Sequence, residues 1–195
     1  MALFRTVSFA EPVPAIEGHG VLLRTPQMAD YGEWAHLREQ SREFLTPWEP
    51  VWPADDLTRS AFRRRLRRYT EDARADQAYA FFVVRKADQA LVGGLTLANV
   101  RRGVAQAGSL GYWMGAPHAG QGYMTEAVRT LVPFAFGSLR LHRLEAACIP
   151  TNGASIRLLE KVGFAREGLA RQYLCINGVW HDHLLYALVS TDVRP

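Results

Sequence analysis

Three stretches of this chain hold residue types able to do chemistry. The first is His118-Ala119-Gly120-Gln121-Gly122-Tyr123-Met124-Thr125-Glu126. A glycine-rich turn between a strand and a helix gathers main-chain N–H groups at the positive end of the helix dipole, which makes an anion site. It is not a P-loop, because no Gly-Lys-Ser/Thr closes it, and not a dinucleotide fingerprint, because Thr125 stands where the third glycine belongs. Taken alone it reads equally as a structural turn. Glu126, in the first turn of the helix, is favoured there by the dipole whatever else it does. The second stretch, Asn152-Gly-Ala-Ser155, opens another helix, where a serine often serves as a cap. The third is His181-Asp182-His183. Strand alternation points both rings to one side and supplies no third ligand, so it reads as structural and no metal is expected.

These residues need elements to position them. A chain of 195 residues with 48% hydrophobic side chains can bury one sizeable core, and a single domain over residues 1–195 is expected. Apolar stretches such as Ala78 to Val84 stop well short of the roughly 20 residues of a membrane span. The start carries Arg5, Glu11 and two prolines where a signal peptide needs an apolar core. A cytoplasmic protein with no membrane contact is therefore expected. Residues 1 to 18 read as a loosely ordered arm and Val21 to Arg24 as a first strand. Met28, Tyr31, Trp34 and Leu37 recur at helical spacing, prolines end that helix in Phe44 to Pro53, and Asp55, Asp56 and Thr58 offer caps for a second with Phe62, Leu66 and Tyr69 on its apolar face. Strands follow at Ala78 to Val84, Leu91 to Ala98 and Ser109 to Met114. Then come the glycine-rich loop, a helix over Met124 to Leu139, a strand over Leu144 to Ile149, a helix from Asn152 stopped by Gly163, and two strands joined at Asn177-Gly178. The order is βααβββαβαββ. Cys148 and Cys175 fall in apolar strands without metal spacing and are expected to be buried thiols.

The formal charge is +4. It suits a polyanionic ligand or a ribonucleoprotein surface without deciding between them. Arg59, Arg63, Arg67 and Arg74 lie on or near one helical face, which reads as a solvated face. Its functional alternative is docking on ribosomal RNA or on an acidic acceptor surface.

Taken together, Leu110-Gly-Tyr-Trp-Met114, the glycine-rich loop, Asn152-Gly-Ala-Ser155, Leu158-Leu-Glu-Lys-Val-Gly-Phe164 and Ile176-Asn-Gly-Val-Trp-His-Asp-His183 resemble the GNAT acetyltransferases, collinearly over nearly the whole chain. Phe44-Leu-Thr-Pro-Trp-Glu-Pro50 and Val100-Arg-Arg-Gly103 narrow the resemblance to the RimJ-like ribosomal-protein alanine N-acetyltransferases. The resemblance implies an α/β (α+β) GNAT fold: a mixed sheet of about seven strands, flanking helices, and a parallel pair that splays apart where strands end at Met114 and Ile149. It implies acetyl-CoA as co-substrate, with Trp113 and Met114 beside it and Gly120, Gln121, Gly122, Tyr123, Met124 and Thr125 around the pyrophosphate. Asn152 and Ser155 would face the pantetheine and thioester, with Ser155 donating to the departing sulfur, and Glu49 would sit on the acceptor side as a candidate base. Ala119 and Met124 depart from the superfamily's usual loop but suit this branch.

Acetyl transfer needs a neutral amine, a polarised carbonyl and a proton for the leaving thiolate. An α-amine titrates near pH ~8 against ~10.4 for lysine, so near neutrality it is uncharged a few hundred times more often and asks little of a base. Strand N–H groups around Trp113 and Met114 are expected to hold the carbonyl oxygen. The expected function is acetylation of the N-terminal alanine of a ribosomal protein. The alternatives are a small-amine acceptor (aminoglycoside, polyamine or amino acid) on the same scaffold and a non-catalytic acyl-CoA- or RNA-binding protein.

Overall fold

The run Tyr79-Ala-Phe-Phe-Val-Val dictates a strand with both faces covered, because alternate apolar side chains must bury on opposite sides. In the computed structural model, which describes residues 13–192, Tyr79–Arg85 (β3) does this. Tyr79, Phe81 and Val83 enter one core, while Phe82 and Val84 enter a second on the other face.

Around β3 the sheet has eight strands. Ile16–Glu17 (β1) and Val21–Arg24 (β2) precede it, and Leu91–Arg101 (β4) and Ala107–Met114 (β5) follow. Arg143–Cys148 (β6), Ala165–Ile176 (β7) and Val179–Val189 (β8) complete the order β1-β2-β3-β4-β5-β6-β8-β7. Every neighbouring pair is antiparallel except β5–β6. This is the mixed sheet expected, with one more strand than anticipated. The addition is β1, inside the segment read as a loose arm; residues 1–12 of that arm lie outside the described residues.

The helices divide between the faces. Tyr31–Gln40 (α1) and Arg59–Arg74 (α3) cover one, joined through the short Arg42–Leu45 (α2). There Phe62 is fully buried with its ring centre 4.7 Å from Trp34. Of the three capping residues expected for α3, Thr58 caps, accepting from the Ala61 N–H at 3.2 Å, whereas Asp55 and Asp56 pair with Arg64 and Arg65. The other face carries Tyr123–Pro133 (α4) and Gly153–Val162 (α5). The helix expected to run to Leu139 widens at Phe134–Ser138, where Leu139 donates five residues back to Phe134. Pro133 lacks the N–H for a regular turn, so a wider one takes over. Asn177 and Gly178 both adopt positive φ, 46° and 80°, as a tight hairpin between twisted strands requires. Cys148 is buried as expected, but Cys175 is exposed because β7 is an edge strand with one face open to solvent.

Candidate active site

The site begins where β5 and β6 part. They pair from Ala107 and Arg143 as far as Leu110 and Ala146, after which β5 continues against β4 alone to Met114. The Gly115 N–H donates to Val92 across β4 at 2.9 Å. Period-two alternation then turns the Trp113 N–H toward β4 as well, and those of Tyr112 and Met114 toward the gap. Of the two donors expected for a carbonyl oxygen, Met114 faces the splay and Trp113 does not; Tyr112 takes its place.

The glycine-rich loop leads from this gap into α4. Gly120 and Gly122 adopt φ of 75° and 88°, and a Cβ at either would meet nothing within 4 Å, so the loop presents bare backbone to open space. Gly122 caps α4, whose first-turn N–H groups at Tyr123, Met124 and Thr125 lack intrahelical partners. This is a concave set of donors suited to a diphosphate. The Gln121 side chain folds back on Pro117 O at 3.0 Å, and Met124 puts its side chain into the core, leaving its N–H as its contribution to the loop. The loop entrance is anchored from the opposite face, where the buried Ser41 Oγ accepts from the Ala116 N–H at 2.9 Å. Glu126 is structural: its carboxylate accepts from Gly20 N at 2.5 Å and Val21 N at 3.2 Å, clamping the β1–β2 turn.

Asn152, not Ser155, caps α5, accepting from the Ser155 N–H at 3.0 Å. The Ser155 hydroxyl is therefore released from capping and lies 2.5 Å from the Tyr112 hydroxyl. Ser155 is buried at 8% exposure, and burial pushes the Tyr112 phenol well above its usual range, so it stays protonated. Tyr112 was missed by sequence reasoning. Alternation along Leu110 to Met114 places it opposite Trp113, but its meeting with α5 depends on how the helix packs across the sheet. Cys148 closes the same corner; burial raises its thiol, which argues against a nucleophile.

On the α1/α3 face a cleft of about 390 Å³ opens beside Gly111, Tyr112 and Trp113. The segments Phe44 to Pro50 and Ile176 to His183, distant in sequence, meet at its side: the Asn177 N–H donates to Glu49 O at 2.9 Å. Glu49, expected as a candidate base on the acceptor side, lines this cleft. Its oxygens accept from Arg38 at 2.8 and 2.6 Å and from the Trp52 indole at 2.7 Å, which ties its loop to α1. Trp113 lies flat over β4, where a Cβ on Gly94 would come within 2.3 Å of its indole nitrogen. His183 is buried with Nδ1 2.9 Å from His181 O, and among the described residues no three His, Cys, Asp or Glu gather as metal ligands. Arg59, Arg63 and Arg67 are exposed on α3, with Arg59 over the Tyr31 ring. None of the described helices is long and apolar enough to cross a membrane.

A splayed parallel pair with a donor-rich turn at its end defines an acyl-CoA-type transferase architecture, and comparison with known proteins agrees. Residues 21–165 match the acetyltransferase (GNAT) domain model, and the chain belongs to this family of N-acetyltransferases. It is 37% identical over 177 residues to a probable N-acetyltransferase, YjcK, of Bacillus subtilis, covering 91% of this chain and 98% of that one. It is 35% identical over 175 residues to the [ribosomal protein uS5]-alanine N-acetyltransferase of Escherichia coli, covering 90% of each. RimJ of Mycobacterium smegmatis, solved with a CoA-disulfide, superposes with a TM-score of 0.86 at 30% identity, over 93% of this chain and 88% of that one. The ribosomal alanine acetyltransferases are thus among its relatives.

Proposed function

We propose that the protein transfers the acetyl group of acetyl-CoA to the α-amine of an N-terminal alanine on a ribosomal protein. The observation that carries this reading is the cleft at the splay, lined by two cations, Arg38 and Arg65, and two anions, Glu49 and Asp56. Its charges cancel, so it offers no excess of anions to hold a polyamine or an aminoglycoside. A peptide terminus, with one amine and an otherwise neutral backbone, suits it. The named substrate of the Escherichia coli relative supports the same choice.

In this reading Gly120 to Thr125 bind the diphosphate through main-chain N–H groups, and the Met114 and Tyr112 N–H groups polarise the thioester carbonyl. The amine nitrogen attacks the carbonyl carbon, the C–S bond breaks, and Ser155 supplies a proton to the thiolate while taking one from Tyr112, which recovers its own from solvent as the proton passes, so the phenol is protonated again at the end of the turnover. Water collects the proton from the amine. A strong base is not required, because an α-amine titrating near pH ~8 is already partly neutral.

The test is intact-mass analysis of a ribosomal-protein extract incubated with acetyl-CoA and the enzyme. One protein gaining a single acetyl group on an N-terminal alanine is the expected result. Release of CoA with no acetylated protein overturns the acceptor assignment, and no release of CoA overturns the reaction.

A further inference from the structure

The positive charge of this chain is gathered on one helix. Seven arginines against Glu71 and Asp72 give α3 a charge of +5, while the whole chain carries +4. Arg64 and Arg65 reach Asp55 and Asp56, just ahead of the helix. Arg59, Arg63, Arg67 and Arg74 are exposed, and among the described residues no ion pair engages them. At about 3.6 residues per turn the four fall within an arc of about 80° and make a row about 22 Å long, its first three members about 6 Å apart. Like charges at this spacing repel each other. The row therefore works against α3 on its own, and an anion laid along it relieves the repulsion.

We infer that this row docks on an RNA phosphate backbone and brings the cleft to an acceptor protein held by that RNA. The second half rests on the proposed acceptor and narrows it to an RNA-bound form. A guanidinium presents a planar fork of donors that matches phosphate oxygens, and binding to a phosphate backbone is driven by charge, with no need of an apolar centre. An acidic protein partner would need one, because the buried centre of a protein interface is apolar and poor in charge. None of the exposed large hydrophobic side chains lies on α3. The position agrees. Arg65 and Tyr69 line the acceptor cleft from the other flank of the same helix, and a helix with its side chains is about 10–12 Å across. RNA along the row and a peptide in the cleft are near enough to belong to one particle and do not overlap.

The test is fluorescence anisotropy of a labelled RNA hairpin titrated with the full-length protein between about 50 and 200 mM salt. The wild type binds. A triple variant, Arg63→Gln, Arg67→Gln and Arg74→Gln, binds roughly tenfold or more weakly, with a salt slope lower by about two to three. Arg59 is left in place because it lies over the Tyr31 ring. A control of equal net charge changes Arg140, Arg166 and Arg171, exposed elsewhere, to Gln and stays within about threefold of the wild type. No binding by the wild type, or equal losses in the two variants, overturns the inference. Displacement of the RNA by polyglutamate at equal charge assigns the row to an acidic protein and overturns it too. Turnover is followed separately by mass. The row variant acetylates a free alanine peptide at the wild-type rate and the acceptor assembled in a ribosomal particle roughly tenfold more slowly; equal rates on the particle overturn the docking. RNA binding through the row without acetylation of any N-terminal alanine sinks the proposed acceptor and upholds the row. Acetylation of the free alanine peptide with no RNA binding does the reverse.

Discussion

Ser155 and Tyr112 share one hydrogen bond at 2.5 Å, and the proposed proton supply to sulfur runs through it. Ser155→Ala is expected to lower kcat by about ten to a thousandfold with little change in acetyl-CoA affinity. Tyr112→Phe should fall in the same range. If the two act as one relay, the double variant is no slower than the slower single one, since groups acting as a unit are not additive; stopped-turnover measurements of kcat on the three variants check this. Glu49 makes an opposite prediction. As a clamp, with both oxygens held by Arg38 and Trp52, its replacement by Gln should lower the melting temperature and raise the acceptor KM while kcat stays within about threefold. Glu49→Ala, which strands the buried Arg38 charge, should destabilise by about 3–5 kcal/mol in denaturant titrations. A collapse of kcat with unchanged stability in Glu49→Gln would restore Glu49 as the base.

At the scale of elements, the proposed function assigns the cofactor to the strand–loop–helix unit of β5, the glycine turn and α4, and the acceptor to the opposite face. Gly122→Glu should therefore abolish CoA binding by calorimetry, because it places an anion in the donor nest and forces a side chain into φ 88°. Gly111→Val should leave CoA affinity unchanged and raise the acceptor KM tenfold or more, since Gly111 lines the cleft and a Cβ there meets nothing within 4 Å. Reversed effects would exchange the two sites. Much of this was legible before the structure. The glycine turn, its flanking strand and helix, and the Gly163 and Asn177-Gly178 stops follow from local chemistry, and local chemistry is written in contiguous residues. Three things were not legible. Tyr112 meets Ser155, Asn152 takes over the cap, and Arg38 occupies Glu49, all through packing between segments far apart in sequence. The exposure of Cys175 likewise depends on β7 being an edge, which no single strand declares.

For the molecule as a whole, burial raises the phenols of Tyr79, Tyr112 and Tyr186. Their folded pKa values lie above the unfolded value of about 10, so the folded state holds protons that the unfolded chain loses. The associated stability is complete below pH ~10 and declines as pH rises beyond it. Denaturant titrations between neutral pH and pH ~11 should show this fall, and Tyr112→Phe should make it shallower. The two-faced sheet also frames the central claim, that cofactor and peptide approach the splay from opposite sides and the α-amine alone reacts. The most direct measurement compares a peptide bearing a free N-terminal alanine with the same peptide carrying a blocked terminus and an internal lysine, alongside a polyamine, each incubated with acetyl-CoA and followed by mass and by rate against pH. The account predicts acetylation of the free alanine peptide, with a rate that rises through the titration of its α-amine near pH ~8 and then levels, and no comparable reaction with the other two. Lysine acetylation at a similar rate, or a polyamine preferred to the peptide, would contradict it.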